Sequence, residues 1–327
     1  MKRPVASLSL DLDNLWSYLK THGEPEWKTH PTYLPVFVPL ILSWLKRHHQ
    51  KITFFVVGQD AAQPENAEFL SRLAEAGHEI GNHSFHHEPW MQGSGEEEVL
   101  EELSRAHREI VRVTGQAPLG FRGPGFAHSR SMLGALQQLG YQYDASILPS
   151  ILGPLARLYY LWGSRMNRSE RETRKGLFGR FSDGFLPLRP FLWKLTEGSL
   201  LEIPVSTIPV FRTPFHLSYV LWLSRYSRGL AIFYLKLGLW MCRMTGVEPS
   251  YLLHPLDFLG REDAPQLAFF PGMDLPRARK LELADIFMVT LKKHFEVVPM
   301  SEHARRIVAA GRLRLLEPPS DAGLRRA

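Results

Sequence analysis

The chain has 327 residues, of which 44% are hydrophobic, so it is long enough to bury one large core. Its one cysteine, Cys242, excludes an internal disulfide and agrees with a reducing compartment. The formal charge of +6 favours an anionic partner, such as a membrane surface. Nucleic acid is not expected as a partner, because the basic residues are scattered and no helix-turn-helix, zinc-finger or RNA-binding sheet pattern is present.

The N-terminal residues lack the pattern of a secretory signal. Lys2 and Arg3 form a basic pair, but Pro4 follows, and Asp11 comes before an apolar region of about 7 to 15 residues is complete. Cleavage here would also remove Asp11, which is a candidate functional residue. We therefore expect no secretory signal and a site that faces the cytoplasm.

Strand and helix patterns alternate along the chain. Apolar runs predict strands at 5–10, 52–57, 77–81, 120–122, 141–144, 200–205 and 251–254, and amphipathic runs predict helices at 34–49, 65–76, 94–115 and 129–139. Gly77 ends the second helix, and Ser94-Gly95-Glu96-Glu97 has the spacing of a capping box at the start of the third. Such alternation predicts a parallel sheet.

Two short polar stretches follow predicted strands and hold the candidate functional residues. Asp11 and Asp13 lie two residues apart at the end of the first strand, where they can share a face. His83 and His87 follow the strand at 77–81, where it opens into a loop. One carboxylate oxygen and two imidazole nitrogens can hold a divalent ion and leave coordination positions open, as in a catalytic metal site. Asp11 would then be a base beside a metal-bound nucleophile.

These residues resemble the polysaccharide deacetylase family, the NodB-like carbohydrate esterases. The resemblance rests on five motifs in order: Ser9-Leu10-Asp11-Leu12-Asp13, Thr53-Phe54-Phe55-Val56-Val57-Gly58, His83-Ser84-Phe85-His86-His87, Arg122-Gly123-Pro124-Gly125 and Leu253-His254-Pro255. It implies an α/β fold, a distorted and incomplete (β/α) barrel with the active site at the C-terminal strand ends. The commonest family pattern has two adjacent aspartates, whereas Leu12 separates them here, as in one branch of the family.

The resemblance also implies a role for each candidate residue. Asp11 would be the general base, and Arg122 would orient it. The metal would be bound by Asp13, His83 and His87. His254 would be the general acid. An acidic side chain should hold the tautomer of His254, and Asp144 and Asp257 are both candidates. Zinc is the preferred divalent metal, and manganese, cobalt, nickel and iron accept similar ligands.

Hydrolysis of an amide suits these residue types. A divalent metal polarises the carbonyl and lowers the pKa of a bound water from about 15.7 toward about 7. Asp11 would accept the proton of the water, and His254 would protonate the departing amine. We therefore predict a metal-dependent hydrolase that removes an acetyl or formyl group from an amino sugar. The preferred substrate is a lipid-linked or membrane-associated glycan, and a soluble polysaccharide, oligosaccharide or peptidoglycan is the alternative.

Two other functions use the same residues differently. Two histidines and one carboxylate also form the triad of non-haem iron oxygenases, but that function leaves Asp11 and His254 without a role. A non-catalytic module that binds a glycan or lipid on a deacetylase scaffold is the second alternative. It is disfavoured, because every catalytic position implied by the resemblance is filled.

The domain prediction is a single catalytic domain at 1–310, followed by a disordered tail at 311–327. An insertion at about 147–199 and a helical segment at about 217–245 mix aromatic and aliphatic residues with arginine and lysine. This region is either a set of helices that cap the barrel or a surface for the membrane interface, where aromatic and basic residues concentrate. Residues 229–242 contain Lys236 and are too few for a transmembrane helix, which needs about 18 apolar residues.

Overall fold

The computed structural model describes residues 3–152, 181–311 and 313–319. The strands are β1 (Val5–Leu12), β2 (Thr53–Val56), β3 (Glu79–Asn82), β4 (Gly120–Phe121), β5 (Tyr143–Asp144), β6 (Phe191–Leu195), β7 (Gly198–Glu202), β8 (Thr207–Ile208), β9 (Thr213–Pro214), β10 (Ser250–Leu253), β11 (Glu296–Val298) and β12 (Leu315–Leu316). The helices are α1 (Leu15–His22), α2 (Leu34–Arg47), α3 (Gly58–Ala62), α4 (Pro64–Glu75), α5 (Glu96–Thr114), α6 (Arg130–Gln138), α7 (Leu217–Ser224), α8 (Arg228–Thr245), α9 (Arg277–His294) and α10 (Met300–Ala310).

The central sheet has ten strands and is mostly parallel. Its order is β10-β1-β2-β3-β4-β5-β7-β6-β12, with β11 pairing with β1 beside β10, and only β6 and β7 are antiparallel. No pairing between the described residues joins β12 to β10, so the sheet does not close. The predicted distorted, incomplete (β/α) barrel is therefore confirmed.

Strand β1 shows how the alternation of residue types builds the functional face. Leu8, Leu10 and Leu12 alternate with polar residues and join the main core, in which the sheet packs against α2, α7, α8 and α9. Ser7 and Ser9 point to the other face, together with Asp11, because successive side chains of a strand alternate in direction. A leucine core on one side of β1 thus supports a row of polar side chains on the other.

The helix termini agree with the predictions except at α5. Gly77 follows α4 with a φ of +79°, a backbone conformation that glycine adopts without strain. The predicted capping box at Ser94 is wrong, because Gly95 is the N-cap of α5 and no side chain caps the helix. Ser94 instead ends the preceding 3-10 turn, where its backbone N–H donates to Met91. Three glutamates in the first turn of α5 interact favourably with the positive end of the helix dipole.

The prediction of a disordered tail is wrong for residues 313–319. Strand β12 pairs with β6, and Lys194 Nζ lies 2.8 Å from a carboxylate oxygen of Glu317. The edge of β6 offers backbone groups that a further strand can pair with, which accounts for the order of this segment. Residues 153–180 of the predicted insertion and residues 320–327 of the predicted tail lie outside the described residues. In the described part of the chain, no helix has the length and apolar content needed to cross a membrane.

Candidate active site

The C-terminal ends of four parallel strands carry the candidate residues. Asp11 lies near the end of β1 and Asp13 just beyond it, His83 follows β3, Arg122 follows β4, and His254 follows β10. Three of these strand ends lie level, because Leu12 is paired with Val56, Val56 with Asn82, and Asn82 with Phe121. Loops that leave one edge of a parallel sheet meet in space, so residues far apart in the chain converge there.

Asp13, His83 and His87 form a buried cluster with the composition of a metal site. Asp13 Oδ1 lies 2.9 Å from His87 Nε2 and 3.3 Å from His83 Nε2. One potential ligand atom from each residue lies within 4.8 Å of the others. A carboxylate oxygen and two imidazole nitrogens suit a divalent cation such as zinc.

The hydrogen bonds of His83 support the same assignment of donor atoms. His83 Nδ1 lies 2.6 Å from the carbonyl oxygen of Arg122, which places a proton on Nδ1 and leaves Nε2 facing Asp13. This second contact is the usual way in which a metal-binding histidine is oriented. Burial alone would lower the pKa of His83, but the negative charges of Asp11 and Asp13 raise it. The field that favours a proton here would also attract a cation, so these residues fit a divalent metal.

Asp13 is held in its charged form by its neighbours. Burial alone would raise the pKa of its carboxyl group, but attraction by His87 and hydrogen bonds from His83 and His87 place the pKa well below its usual value. Tyr33 also donates its hydroxyl hydrogen bond to the Asp13 carbonyl oxygen, which restrains the backbone. An anionic, restrained carboxylate is the form that binds a cation.

The loop after β3 separates the three histidines of the motif. Ser84 and His87 have φ values of 62° and 52°, in the left-handed region that non-glycine residues rarely adopt. Glu102 Oε1 accepts hydrogen bonds from the backbone N–H groups of Phe85 and His86, at 2.9 and 2.6 Å. Glu102 also contacts the ring of His86, which is half exposed, at 2.6 Å. The strained loop therefore turns His86 away from Asp13 and points His87 toward it.

Asp11 is held by a buried arginine. Arg122 Nη1 donates to Asp11 Oδ1 and to Ser9 Oγ, both at 2.8 Å, and Arg122 Nε donates to the carbonyl oxygen of Ala145 at 3.0 Å. The guanidinium also lies 4.5 Å from the centre of the Phe55 ring. Arg122 is fully buried and its contacts come from β1, from β2 and from the residue after β5, so the position of the Asp11 carboxylate is well defined.

The structure distinguishes the two predicted partners of His254. Asp257 Oδ2 lies 4.0 Å from His254 Nδ1 and accepts the His254 backbone N–H at 2.8 Å. Ser218 connects them, since its hydroxyl donates to Asp257 Oδ1 at 2.7 Å and lies 3.4 Å from His254 Nδ1. The prediction that Asp144 is the partner of His254 is wrong. It accepts hydrogen bonds from Ser146 Oγ and the Ala145 backbone N–H instead.

Asp144 belongs to a separate buried pair of acids. Burial raises the pKa of both Asp144 and Glu202, and the two carboxyl groups are hydrogen-bonded to each other. Glu202 also accepts a hydrogen bond from Trp193 Nε1 at 3.0 Å. Asp144 and Glu202 are register partners on β5 and β7, which explains why Asp144 faces its own strand neighbours rather than His254.

Several residues near the site have no sequence motif that would reveal them. Tyr18 and His216 each bury a polar atom that has no hydrogen-bond partner among the described residues. Burial lowers the pKa of His216 well below its usual value, assisted by the charges of His254 and Arg122, so His216 is neutral. Ser218 is the second residue of α7 and could not be linked to His254 by spacing alone.

An aromatic cluster borders the metal-binding residues. The ring centre of Trp16 lies 6.5 Å from that of His87 and 5.3 Å from that of His30. Trp16 Nε1 donates to Asp60 Oδ1 at 2.9 Å, and burial raises the pKa of Asp60 to about 7. Asn14, next to Asp13, donates to the same oxygen at 2.7 Å. This network supports the chain immediately after Asp13.

Lys280 supports the turn that carries His254, and its titration should be visible in the stability of the protein. Its Nζ donates to the carbonyl oxygens of Leu256 and Leu259, each at 2.7 Å, and burial lowers its pKa to about 8. In the unfolded chain the pKa of lysine is about 10.4, so the unfolded state binds more protons between these values. The free energy of unfolding should therefore rise as pH increases from about 8 to about 10.

Urea unfolding of the wild type and of Lys280→Met at pH 7.0 and pH 9.5 tests this expectation. The wild type should gain stability relative to Lys280→Met by up to a few kcal/mol at the higher pH, at about 1.4 kcal/mol per pKa unit. The tyrosines that titrate at high pH are present in both proteins, so the difference isolates Lys280. An equal pH dependence in both proteins would contradict the assignment.

Comparisons with known proteins find similarity over part of this chain. The sequence profile of the polysaccharide deacetylase family matches residues 28–143, a segment that includes His83, His87 and Arg122. A peptidoglycan-N-acetylmuramic acid deacetylase of Bacillus subtilis is 35% identical over 107 residues, which are 32% of this chain and 40% of the relative. A peptidoglycan deacetylase of Helicobacter pylori is 26% identical over 159 residues, which are 47% of this chain and 53% of the relative. The chain thus spans about half or less of the length of these relatives.

The fold has a solved counterpart over nearly its whole length. A crystal structure from Mycobacterium smegmatis, provisionally assigned as a polysaccharide deacetylase, has a TM-score of 0.64 and covers 98% of this chain and 96% of its own. Its sequence identity is 21%, so the likeness concerns the fold. Asp11, Asp13 and His254 lie outside the matched segment 28–143, and the sheet brings them to the residues within it. Residues 28–143 are thus similar to the polysaccharide deacetylase family in sequence, and the whole chain shares its fold with the solved structure.

Proposed function

We propose that this protein is a divalent-metal-dependent hydrolase that removes an N-acyl group, acetyl or formyl, from an amino sugar. The observation that carries the proposal is the position of Asp11, fixed by Arg122, at the same strand edge as the Asp13, His83 and His87 cluster. A base and a metal site side by side are what amide hydrolysis requires. We propose that residues 1–310 work as one catalytic domain.

Each residue of the site has a chemical task in this proposal. A divalent cation, zinc by preference, would supply Lewis acidity toward the carbonyl oxygen and the attacking water. Asp11 takes a proton from that water while Arg122 holds the carboxylate in place. His254 gives a proton to the departing amine nitrogen, and Asp257 with Ser218 orients its ring. Arg122, Asp257 and Ser218 are thus positioning residues.

The two alternative functions use less of this geometry. A non-haem iron oxygenase would bind iron through Asp13, His83 and His87, but it would need neither the Asp11 and Arg122 pair nor His254. A binding module would not require an anionic base held beside the metal-binding residues. Hydrolysis gives a task to Asp11, Arg122 and His254 as well as to the three metal-binding residues.

For the substrate, we propose a lipid-linked or membrane-associated glycan on the cytoplasmic side of the membrane. The relatives named above are peptidoglycan deacetylases, which supports an N-acetylated amino sugar as the chemical class. The lipid-linked form is supported by the exposed aromatic and basic residues of α7 and α8, since α7 begins beside His254 and leads into α8. A soluble oligosaccharide or peptidoglycan fragment remains the second candidate, favoured by the names of the same relatives.

Release of acetate or formate by the purified, zinc-loaded protein tests the proposal. The substrates are a polyprenyl-phosphate-linked N-acetylated amino sugar, its N-formyl counterpart, chito-oligosaccharides and peptidoglycan fragments. We expect acyl release that a chelator abolishes, that added metal restores and that proceeds without oxygen. Turnover of the soluble substrates alone would reject the lipid-linked substrate but keep the deacetylase. No release from any substrate by metal-loaded protein, or a requirement for oxygen, would reject the function.

A further inference from the structure

One face of α8 presents an apolar stripe to solvent. The α8 stripe consists of Leu230, Phe233, Leu237, Trp240 and Met244, and Tyr226 extends it before the helix begins. The spacing of three and four residues places these side chains on one side of the helix over about 21 Å. Phe233, Trp240 and Met244 are 61%, 54% and 66% exposed, and Tyr226 is 70% exposed.

The stripe is separate from the face of α8 that stabilises the fold. Ala231, Leu235, Leu239 and Cys242 are buried and belong to the main core. Gly238 lies against the ring of Phe215, since a Cβ atom there would come within 2.9 Å of that ring. The helix thus has one apolar face in the core and a second one that nothing in the described residues covers.

The helical segment that carries the stripe has basic but no acidic residues of its own. Residues 217–246 contain four basic residues and no aspartate or glutamate. Arg225 and Arg228 form ion pairs with Asp274 and Glu282 from outside this segment. Lys236 and Arg243 are exposed, and no ion pair to either is present among the described residues. These two cations are one heptad apart, on the same side of the helix and next to the stripe.

We propose that the α8 stripe docks on an anionic lipid surface, with α8 lying in the membrane interface. Aromatic and aliphatic side chains enter such an interface, and neighbouring lysine and arginine attract anionic headgroups. A second copy of this chain fits less well, because pairing two stripes would bring two sets of positive charges together. The inference extends the proposed function by naming the surface that would bring the enzyme to a lipid-linked substrate.

The position of α7 connects this surface to the candidate active site. Ser218, in the first turn of α7, contacts His254 and Asp257. Trp222 is 39% exposed and lies one turn further along, about 6 Å from Ser218 along the helix axis. Tyr226 follows after another turn and leads into the α8 stripe. Docking through α8 would therefore place the strand edge that carries His254 close to the membrane surface.

Flotation with large vesicles measures the docking directly. Vesicles of equal parts phosphatidylglycerol and phosphatidylcholine should carry the wild-type protein upward, and vesicles of phosphatidylcholine alone should carry much less. The double variant Phe233→Ser/Trp240→Ser should lower the partition coefficient by about tenfold or more, because two apolar side chains no longer enter the interface. Lys236→Glu/Arg243→Glu should weaken binding at low salt and reduce its dependence on salt.

Matched controls come from exposed residues elsewhere on the molecule. Val308→Ser removes a 59% exposed apolar residue from α10, and Lys46→Glu/Arg108→Glu makes the same change in net charge on α2 and α5. Both controls should float as the wild type does. Failure of the wild type to float, or equal flotation of the stripe variant and its control, would overturn the inference. A wild-type dimer that Phe233→Ser/Trp240→Ser separates, without vesicle binding, would overturn it in favour of self-association.

The failure of docking can be told apart from the failure of the proposed function. Flotation requires no turnover, so Asp11→Asn should bind vesicles as the wild type does. Acyl release from a soluble substrate in turn requires no vesicle, so Phe233→Ser/Trp240→Ser should retain it. Loss of one property without the other therefore identifies which of the two proposals is wrong.

Discussion

Asp11→Asn is expected to lower kcat for acyl release by about 10²- to 10⁴-fold while the protein still binds its metal. The amide keeps an oxygen that can accept the hydrogen bond from Arg122, now 2.8 Å from Asp11 Oδ1, but it cannot accept a proton from water. The metal-binding residues are unchanged in this variant. Turnover of the amino-sugar substrate and elemental analysis of the purified protein measure the two properties separately.

Asp13→Asn is the matched control, because it makes the same chemical change two residues away. It should lose both metal and activity, since Asp13 Oδ1 is the atom on which His83 and His87 converge. Circular dichroism confirms that each variant is folded at the assay temperature. Full activity of metal-loaded Asp11→Asn would remove the general base from the proposal. Loss of metal from Asp11→Asn would show that Asp11 is a ligand rather than the base.

Arg122→Met is expected to lower the free energy of unfolding by about 3 to 5 kcal/mol. Its guanidinium is fully buried and pairs with Asp11, and the substitution leaves the Asp11 carboxylate in the interior without its cation. The variant also loses the hydrogen bonds from Arg122 to Ser9 and to the carbonyl oxygen of Ala145. Urea unfolding of the metal-free proteins measures the change without a contribution from bound metal.

Two further variants distinguish an unpaired charge from a general loss of packing. Arg122→Met/Asp11→Asn should recover part of the loss, because no charge is then left unpaired. Arg108→Met removes a pair of similar length, 3.0 Å to Glu101, in which both side chains are more than 60% exposed. Its expected effect is about 1 kcal/mol or less. A similar loss in Arg108→Met, or no recovery in the double variant, would argue against a buried ion pair that holds Asp11.

The candidate metal-binding residues and the base could be named from sequence because their signals are local. The alternation in β1 sets which side chains share a face with Asp11, and glycine at 77 ends a helix just before the strand that leads to His83. Strand ends in a parallel sheet lie at one edge, so Asp11 and Asp13 after one predicted strand could be expected to meet His83 and His87 after another. The prediction of a general base beside a metal site rests on these features.

Other parts of the site depend on contacts that no sequence spacing contains. His86 is adjacent to His87 in the chain, but its contact with Glu102 from α5 keeps it out of the metal-binding cluster. The sequence left Asp144 and Asp257 as equal candidates for the partner of His254. In the fold, the pairing of β5 with β7 places Asp144 against Glu202, and α7 places Ser218 against Asp257. The order of residues 313–319 likewise depends on the free edge of β6.

The sequence by itself predicted strands β1 to β5, β7 and β10, helices α2, α4, α5 and α6, and the side chains that can donate to a metal, because periodicity, turn residues and ligand chemistry are properties of short segments. Only the tertiary structure decided which of these side chains meet, which acid faces His254 and which face of α8 is left exposed. Those outcomes follow from the packing of elements that are distant in the chain, since burial and hydrogen bonding are settled by neighbours in space.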